Sequence, residues 1–279
     1  MIAASFHPES WWNWIIALSW QMAVLVAIAG IVSFGLRRTA ARIRHVLWLL
    51  VLMKVFLPVS LSAPWSIGTW IIRAADETAI VSGTAPATPA TATSNSQAGE
   101  PASHNRPDFV TGVFAIWLIG ALGSSSLIAF QYLRLCRKLA SWPVIDEGPI
   151  CIALERAALR LHISDPPELR LTEENSSPFL VGTFRPVIVI SRSLAEQARP
   201  DELETIVLHE LIHFKHRDTW IGWGQAIVQS LMWFHPLVWI ANAFVNHERE
   251  IVCDEAVLQN GRVTSAEYGE TILRVLSLA

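Results

Sequence analysis

The residues best suited to chemistry in this chain are His209, Glu210 and His213, within Leu208-His209-Glu210-Leu211-Ile212-His213. The pattern is H-E-x-x-H. On a helix, side chains four apart lie one above the other, so both imidazoles can aim a nitrogen at one point about 2 Å away, the ligand distance of zinc. Glu210 follows the first ligand, rotated off the ligand row, where a general base can take a proton from a metal-activated water. The bland alternative is a surface pair of histidines. A helical segment in an apolar neighbourhood favours the metal. Pro200 suits a first helical turn, Asp201, Glu202 and Glu204 suit its N-terminal end, and no Gly or Pro follows before Lys215-His216-Arg217-Asp218.

A catalytic zinc site of this kind needs a third protein ligand. The run His247 to Glu255 offers candidates. Glu250 and Asp254 are four apart and share a helix face, so Glu250 is expected to ligate. Asp254 is expected to accept a hydrogen bond from the second nitrogen of a ligand histidine. Glu248 has no such neighbour, and Glu255 is one step off the face. The competing reading of these acids is a solvated helix start. His216 points one turn past the metal, and His235 and His247 are weaker candidates.

The elements that must hold these residues are those of a membrane protein. The chain has 279 residues, of which 52% are hydrophobic and 16% charged, with mean hydropathy +0.38. A soluble domain carries about a quarter charged residues. Thirteen Trp agree, because indoles collect at the bilayer interface. A net charge of −3 argues against direct nucleic-acid binding. Cys136, Cys151 and Cys253 make no disulfide framework and suit a reducing compartment.

Residues 1–72 read as two transmembrane helices joined by a basic loop at 37–44, which holds four arginines. The loop places that end in the cytoplasm and the N-terminus outside. Lys54 falls in the second apolar stretch, His45 to about Ile72. It either snorkels or pairs within the bundle, or it serves a function. The N-terminal segment is acidic and aromatic, unlike a cleavable signal, so the first span is expected to be permanent. Residues 73–108, rich in Ala, Thr, Ser and Pro, read as a disordered extracytoplasmic linker. Residues 109–133 read as a third span, with Arg134, Arg137 and Lys138 marking the cytoplasmic side again.

Residues 134–279 then form a small α+β domain at the cytoplasmic face. A helix is predicted over 149–162, a short strand at 169–171, and two strands at 179–182 and 186–190 about a turn at 183–185. Ser191 or Ser193 can cap a short helix after them. The 27 residues from Thr219 to Val245 carry no formal charge. A full crossing there would put Glu250 on the far side from His209 and leave no downstream ligand. The metal site instead requires a re-entrant or buried helical hairpin over 219–245, broken at His235-Pro236. The chain stops within a helical pattern, and further sequence is expected.

Two spans around a basic loop, a third span and H-E-L-I-H ending in Arg217-Asp218 now stand in order. They are followed by Phe234-His235-Pro236-Leu237-Val238-Trp239 and by Glu250-Ile251-Val252-Cys253-Asp254. With the run Ser177 to Ile188, this order resembles the integral-membrane zinc metallopeptidases of the BlaR/MecR antibiotic-sensor type. The resemblance implies a gluzincin-like site, with His209, His213 and Glu250 around Zn2+ and Glu210 as catalytic base. It also implies an extended substrate pairing near Val187–Ile190, and a protein substrate such as a cytosolic transcriptional repressor. Sensors of that type carry a penicillin-binding domain, whereas no S-x-x-K motif occurs in these 279 residues.

The expectation is therefore a mainly α, multi-pass protein of the cell membrane, whose partners are the bilayer and a protein substrate. It would be a zinc endopeptidase acting at the cytoplasmic face in signalling or regulated proteolysis. Membrane-protein processing or quality control competes within the enzyme class. A non-catalytic receptor with a structural zinc competes from outside it, and the presence of Glu210 argues against that one. Oligomeric state is not legible from the residues.

Overall fold

The computed structural model of the protein describes residues 8–57 and 109–278. The linker expected at 73–108 and the outer part of the second apolar stretch lie outside these residues. The chain is mostly helical, with one small sheet. Helix α1 runs over Pro8–Gly35 and α2 over Ala41–Met53, the latter closing with a 3-10 turn at Lys54–Phe56. Helix α3 spans Phe109–Ser141, α4 spans Pro149–Leu161, and strands β1 (Glu168–Thr172), β2 (Phe179–Val181) and β3 (Val187–Ser191) follow. Then come α5 (Arg192–Gln197), α6 (Pro200–His216), α7 (Asp218–Leu231), α8 (Pro236–Asn260) and α9 (Ser265–Leu278).

Two described helices, Trp11–Gly35 and Phe109–Ser141, are long and apolar enough to cross a membrane by length and composition. Their apolar side chains are largely exposed: Ile31 and Ile119 are 74% and 70% accessible. A soluble core helix would bury such residues. The span expected at 109–133 continues as one helix through Arg134, Arg137 and Lys138 to Ser141, about 50 Å at 1.5 Å per residue. The basic loop is shorter than expected. Ala41 to Arg44 already belong to α2, and Arg44 is buried.

The uncharged stretch 219–245 is a helical hairpin. The chain leaves α7 at Leu231, turns, and restarts at Pro236, the first residue of α8. Proline suits that position because its missing N–H has no helical partner there in any case. The hairpin lies against α3 in antiparallel register. The Trp117 indole donates to the Leu231 carbonyl at 2.9 Å, the Ser124 hydroxyl donates to the Ser230 carbonyl at 3.3 Å, and Tyr132 meets Trp223 edge-on at 4.9 Å. From residue 117 to 132 that contact covers about 22 Å. Within the hairpin the apolar helices are joined by amides: Gln225 donates to Asn242 and Asn246, and Asn242 donates to Gln229.

Two cores result. One packs α1, α2 and the hairpin around Leu18, Met22, Trp48, Met232 and Val238. The other packs α4, the sheet and α6 around Ala157, Ile188, Ile190, Val207 and Leu211. Helix α8 belongs to both, with Val238, Ala241 and Val245 in the first and Cys253 and Val257 in the second. It is the beam between the halves, and the acidic run 248–255 sits where they meet.

The sheet order is β1-β3-β2, with β1 parallel and β2 antiparallel to β3. The strand expected to pair with substrate, Val187–Ile190, is therefore the central one. Its Ile188, Val189 and Ile190 are 0% exposed, and both of its edges are occupied. Any extended chain added to this sheet must use another strand.

Candidate metal centre

Helix α6 carries the H-E-x-x-H residues because its start is well defined. Pro200 occupies its first turn, and the Glu202 carboxylate accepts from the Arg199 backbone N–H at 2.8 Å. Leu203, Val207, Leu208, Leu211 and Ile212 bury its apolar face at 0–1% exposure. The opposite face, with His209 and His213, opens onto a cleft of about 620 Å³. The two imidazole centres are 4.8 Å apart at 74°.

Helix α8 crosses this face and brings Glu250 to the histidines. The Nε2 atoms of His209 and His213 are 3.1 Å apart, and one Glu250 carboxylate oxygen lies 3.6 Å and 3.5 Å from them. A tetrahedral zinc with arms of about 2.1 Å has donor-to-donor edges of about 3.4 Å. All three donor atoms fall within 4.8 Å of one another, so the residues fit a small divalent cation.

The outward nitrogens are also engaged, which sets the tautomers. His213 Nδ1 donates to the buried Asp218 carboxylate at 2.6 Å. Around His209, the Tyr268 hydroxyl donates to Asp254 at 2.6 Å and so can accept from His209 Nδ1 at 3.0 Å. Asp254 is itself 3.4 Å from that nitrogen. Both Nε2 lone pairs are thereby left to face Glu250, as metal ligation requires.

Asp254 thus lies beside a candidate ligand histidine, with the Tyr268 hydroxyl set between them rather than the direct hydrogen bond expected. Asp218 and Tyr268 were missed. Asp218 had one readable signal, its place just after the helix, where Arg217 turns back with φ 59°. Tyr268 had none, because α9 docks on the cleft only through tertiary packing. His216 is the last residue of α6 and is not among the three donors.

Electrostatics agree with a cation here. Burial pushes the His213 imidazole down, but hydrogen bonds to Asp218, the Cys253 thiol and Glu250 outweigh it and raise the pKa to about 12. The two imidazoles beside it, His209 and His213, hold the Glu250 carboxyl well below the usual range. The site favours positive charge at this point, whether carried by a proton or by a metal. Burial pushes Glu210 up, against the pull of the two histidines, and the Tyr268 phenol is raised by burial and by Asp254. Glu210 shares the cleft with Ser177, Pro178, Phe179 and Leu180 of the β2 edge, and the Leu180 backbone amide bonds to its carboxylate.

Glu248 is not among the three donors. It is buried and takes both of its oxygens to Arg44 Nε, at 3.0 and 2.9 Å. Arg44 also donates to the carbonyls of Leu36 and Thr39, and the Glu255 carboxylate accepts from the Ala41 N–H at 3.4 Å. The arginine that reads as a topology marker in fact clamps the α1–α2 turn to the helix that carries Glu250.

The described residues thus combine a predominantly helical fold, two helices long and apolar enough to cross a membrane, and a His-His-Glu cluster spaced for a metal ion. The family model described as BlaR1 peptidase M56 matches residues 13–279, and the chain belongs to that family. It is 25% identical over 166 residues to the "Regulatory protein BlaR1" of Bacillus licheniformis, covering 59% of this chain and 28% of that protein. Against the "Regulatory protein BlaR1" of Staphylococcus aureus it is 30% identical over 168 residues, 60% of this chain and 28% of that one. Against the "Methicillin resistance mecR1 protein" of Staphylococcus epidermidis it is 31% identical over 99 residues, 35% and 17% respectively. The matched regions thus cover less than a third of the length of these curated relatives.

Proposed function

We propose that the protein is a zinc-dependent endopeptidase of the cell membrane, with a gluzincin-like site in which His209, His213 and Glu250 hold the metal. The observation that carries this reading is the donor spacing of 3.1 to 3.6 Å in the same cleft as Glu210. A zinc ion there would supply a Lewis acid that polarises a carbonyl and acidifies a water. Glu210 takes the proton of that water and passes it to the leaving amine, a shuttle suited to a carboxylate whose pKa is raised by burial. Asp218 and the Tyr268–Asp254 pair hold the imidazoles in the ligating tautomer. The edge of β2 that is not paired with β3 offers backbone groups to an extended peptide beside the cleft.

The reading extends to topology. Helices α1 and α3 cross the bilayer, a second span is assigned to the apolar stretch that opens with α2, and the hairpin α7–α8 enters alongside α3 and returns. The arginines after α1 and at the end of α3 put the domain 134–279 at the cytoplasmic face and the N-terminus outside. The substrate is a protein. The relatives named as regulatory proteins favour signalling over membrane-protein processing, and a cytosolic transcriptional repressor is the substrate that this analogy proposes.

Purified wild type and Glu210→Gln are compared for metal content and for cleavage of themselves or of a co-expressed repressor. Metal retained by both, with cleavage lost only in the variant, is the expected result. Equal processing by both proteins refutes the enzyme.

A further inference from the structure

We infer that the turn between β2 and β3, with Phe184 at its tip, is a membrane anchor that inserts at the inner headgroup boundary. Phe184 is 87% exposed, more than any other large apolar side chain among the described residues. It is not on a loose loop. Gly182 has φ 90°, and a Cβ there would sit 2.4 Å from the Arg185 carbonyl oxygen, so the tight turn requires glycine. The Trp223 indole donates to the Thr183 hydroxyl at 2.9 Å, and the Phe184 ring meets Trp220 edge-on at 5.4 Å. The fold holds an aromatic side chain outward at a fixed place on α7.

That place has a readable height. Trp223 also packs on Tyr132 of α3. On one side of Tyr132, α3 exposes Leu127 and Phe130; on the other it carries Arg134, Arg137 and Lys138. The turn is thus level with the point where a spanning helix passes from hydrocarbon to headgroups, among the Trp and Tyr side chains that collect there. Exposed Arg185 adds a cation beside the apolar tip, the pairing that suits anionic lipid. The lipid surface already implied by α3 and α7 is therefore continuous with Phe184, which favours lipid over a protein partner.

Strand β2 joins this anchor to the cleft. From Leu180, which lines the cleft, to Phe184 is four residues, a reach of at most about 13 Å. The anchor fixes the substrate edge close to the bilayer surface, where membrane-proximal polypeptide is within reach. The inference rests on α3 crossing the bilayer, and its test separates the two.

The full chain, with Cys136→Ser and Cys151→Ser, is reconstituted in vesicles of three parts phosphatidylcholine to one part phosphatidylglycerol. Single nitroxide labels are placed through Phe184→Cys, Leu127→Cys on the outer face of α3, and Leu159→Cys on the exposed face of α4. Power saturation compares collision with oxygen, which concentrates in lipid, and with a water-soluble nickel chelate. The anchor predicts oxygen-favoured labels at 127 and 184, with 184 the shallower, and a nickel-favoured label at 159. Should 184 match 159 while 127 stays in lipid, the anchor is refuted and the span stands. A label at 184 shielded from both reagents overturns it too, in favour of a protein partner. Nickel access at 127 removes the span and the anchor together.

Discussion

His209 and His213 each have one nitrogen committed to a carboxylate system and one left for a cation, and the two commitments differ. His213 meets Asp218 directly at 2.6 Å, whereas His209 reaches Asp254 chiefly through the Tyr268 hydroxyl. Tyr268→Phe removes that hydroxyl and leaves Asp254 at 3.4 Å. Metal affinity in a chelator competition is expected to fall about 10- to 100-fold, and Asp218→Asn should do at least as much. Unchanged affinity in Tyr268→Phe would mean that the direct Asp254 contact suffices. Glu210 is not among the three donors, so Glu210→Gln should retain metal while losing about 10²- to 10⁴-fold in cleavage rate. Glu250→Ala should lose both together.

At the level of the elements, α8 connects what happens in the apolar half to the cleft. Glu248, two residues before Glu250, is held by Arg44 of α2 with both side chains under 10% exposed. Arg44→Ala leaves a buried carboxylate without its partner, at a cost of about 3–5 kcal/mol, and frees the α1–α2 turn from α8. Thermal unfolding should shift accordingly, and Arg44→Ala/Glu248→Met should recover much of the loss. If the single variant melts like wild type, the pair is not the clamp described. Helix α9 depends on a smaller device. The Thr264 hydroxyl accepts from the Glu267 N–H, and the Glu267 carboxylate accepts from the Thr264 N–H. Thr264→Ala should destabilise the start of the helix that carries Tyr268 by about 1 kcal/mol, seen as faster hydrogen exchange over residues 265–271.

For the whole molecule, the metal would tie α6 to α8, and so the sheet-bearing core to the hairpin core. Removing it by chelation should lower the melting temperature. At free zinc a thousandfold above the dissociation constant, the stabilisation lost is about 4 kcal/mol. Adding zinc back should restore the transition in wild type but not in His213→Ala. A transition indifferent to chelator would show that no metal bridges the two halves.

Local chemistry was legible wherever neighbours in sequence are neighbours in space. The helix period put His209 and His213 on one face and Glu250 with Asp254 on another. Proline and serine marked the starts of α6, α8 and α5. The lack of charge over 219–245, joined to the need for a third ligand, implied a hairpin. What sequence order could not carry was the meeting of distant elements. Arg44 read as a loop charge until α2 packed on α8, because a buried ion pair 204 residues apart leaves no local pattern. Strand order likewise depends on pairing, so the substrate strand that the family resemblance implied at Val187–Ile190 is closed on both sides by β1 and β2. Tyr268 joined the site only because α9 folds back over α6. Short-range periodicity thus determined the candidate ligands, and long-range packing decided what orients them and which surface is open to a substrate.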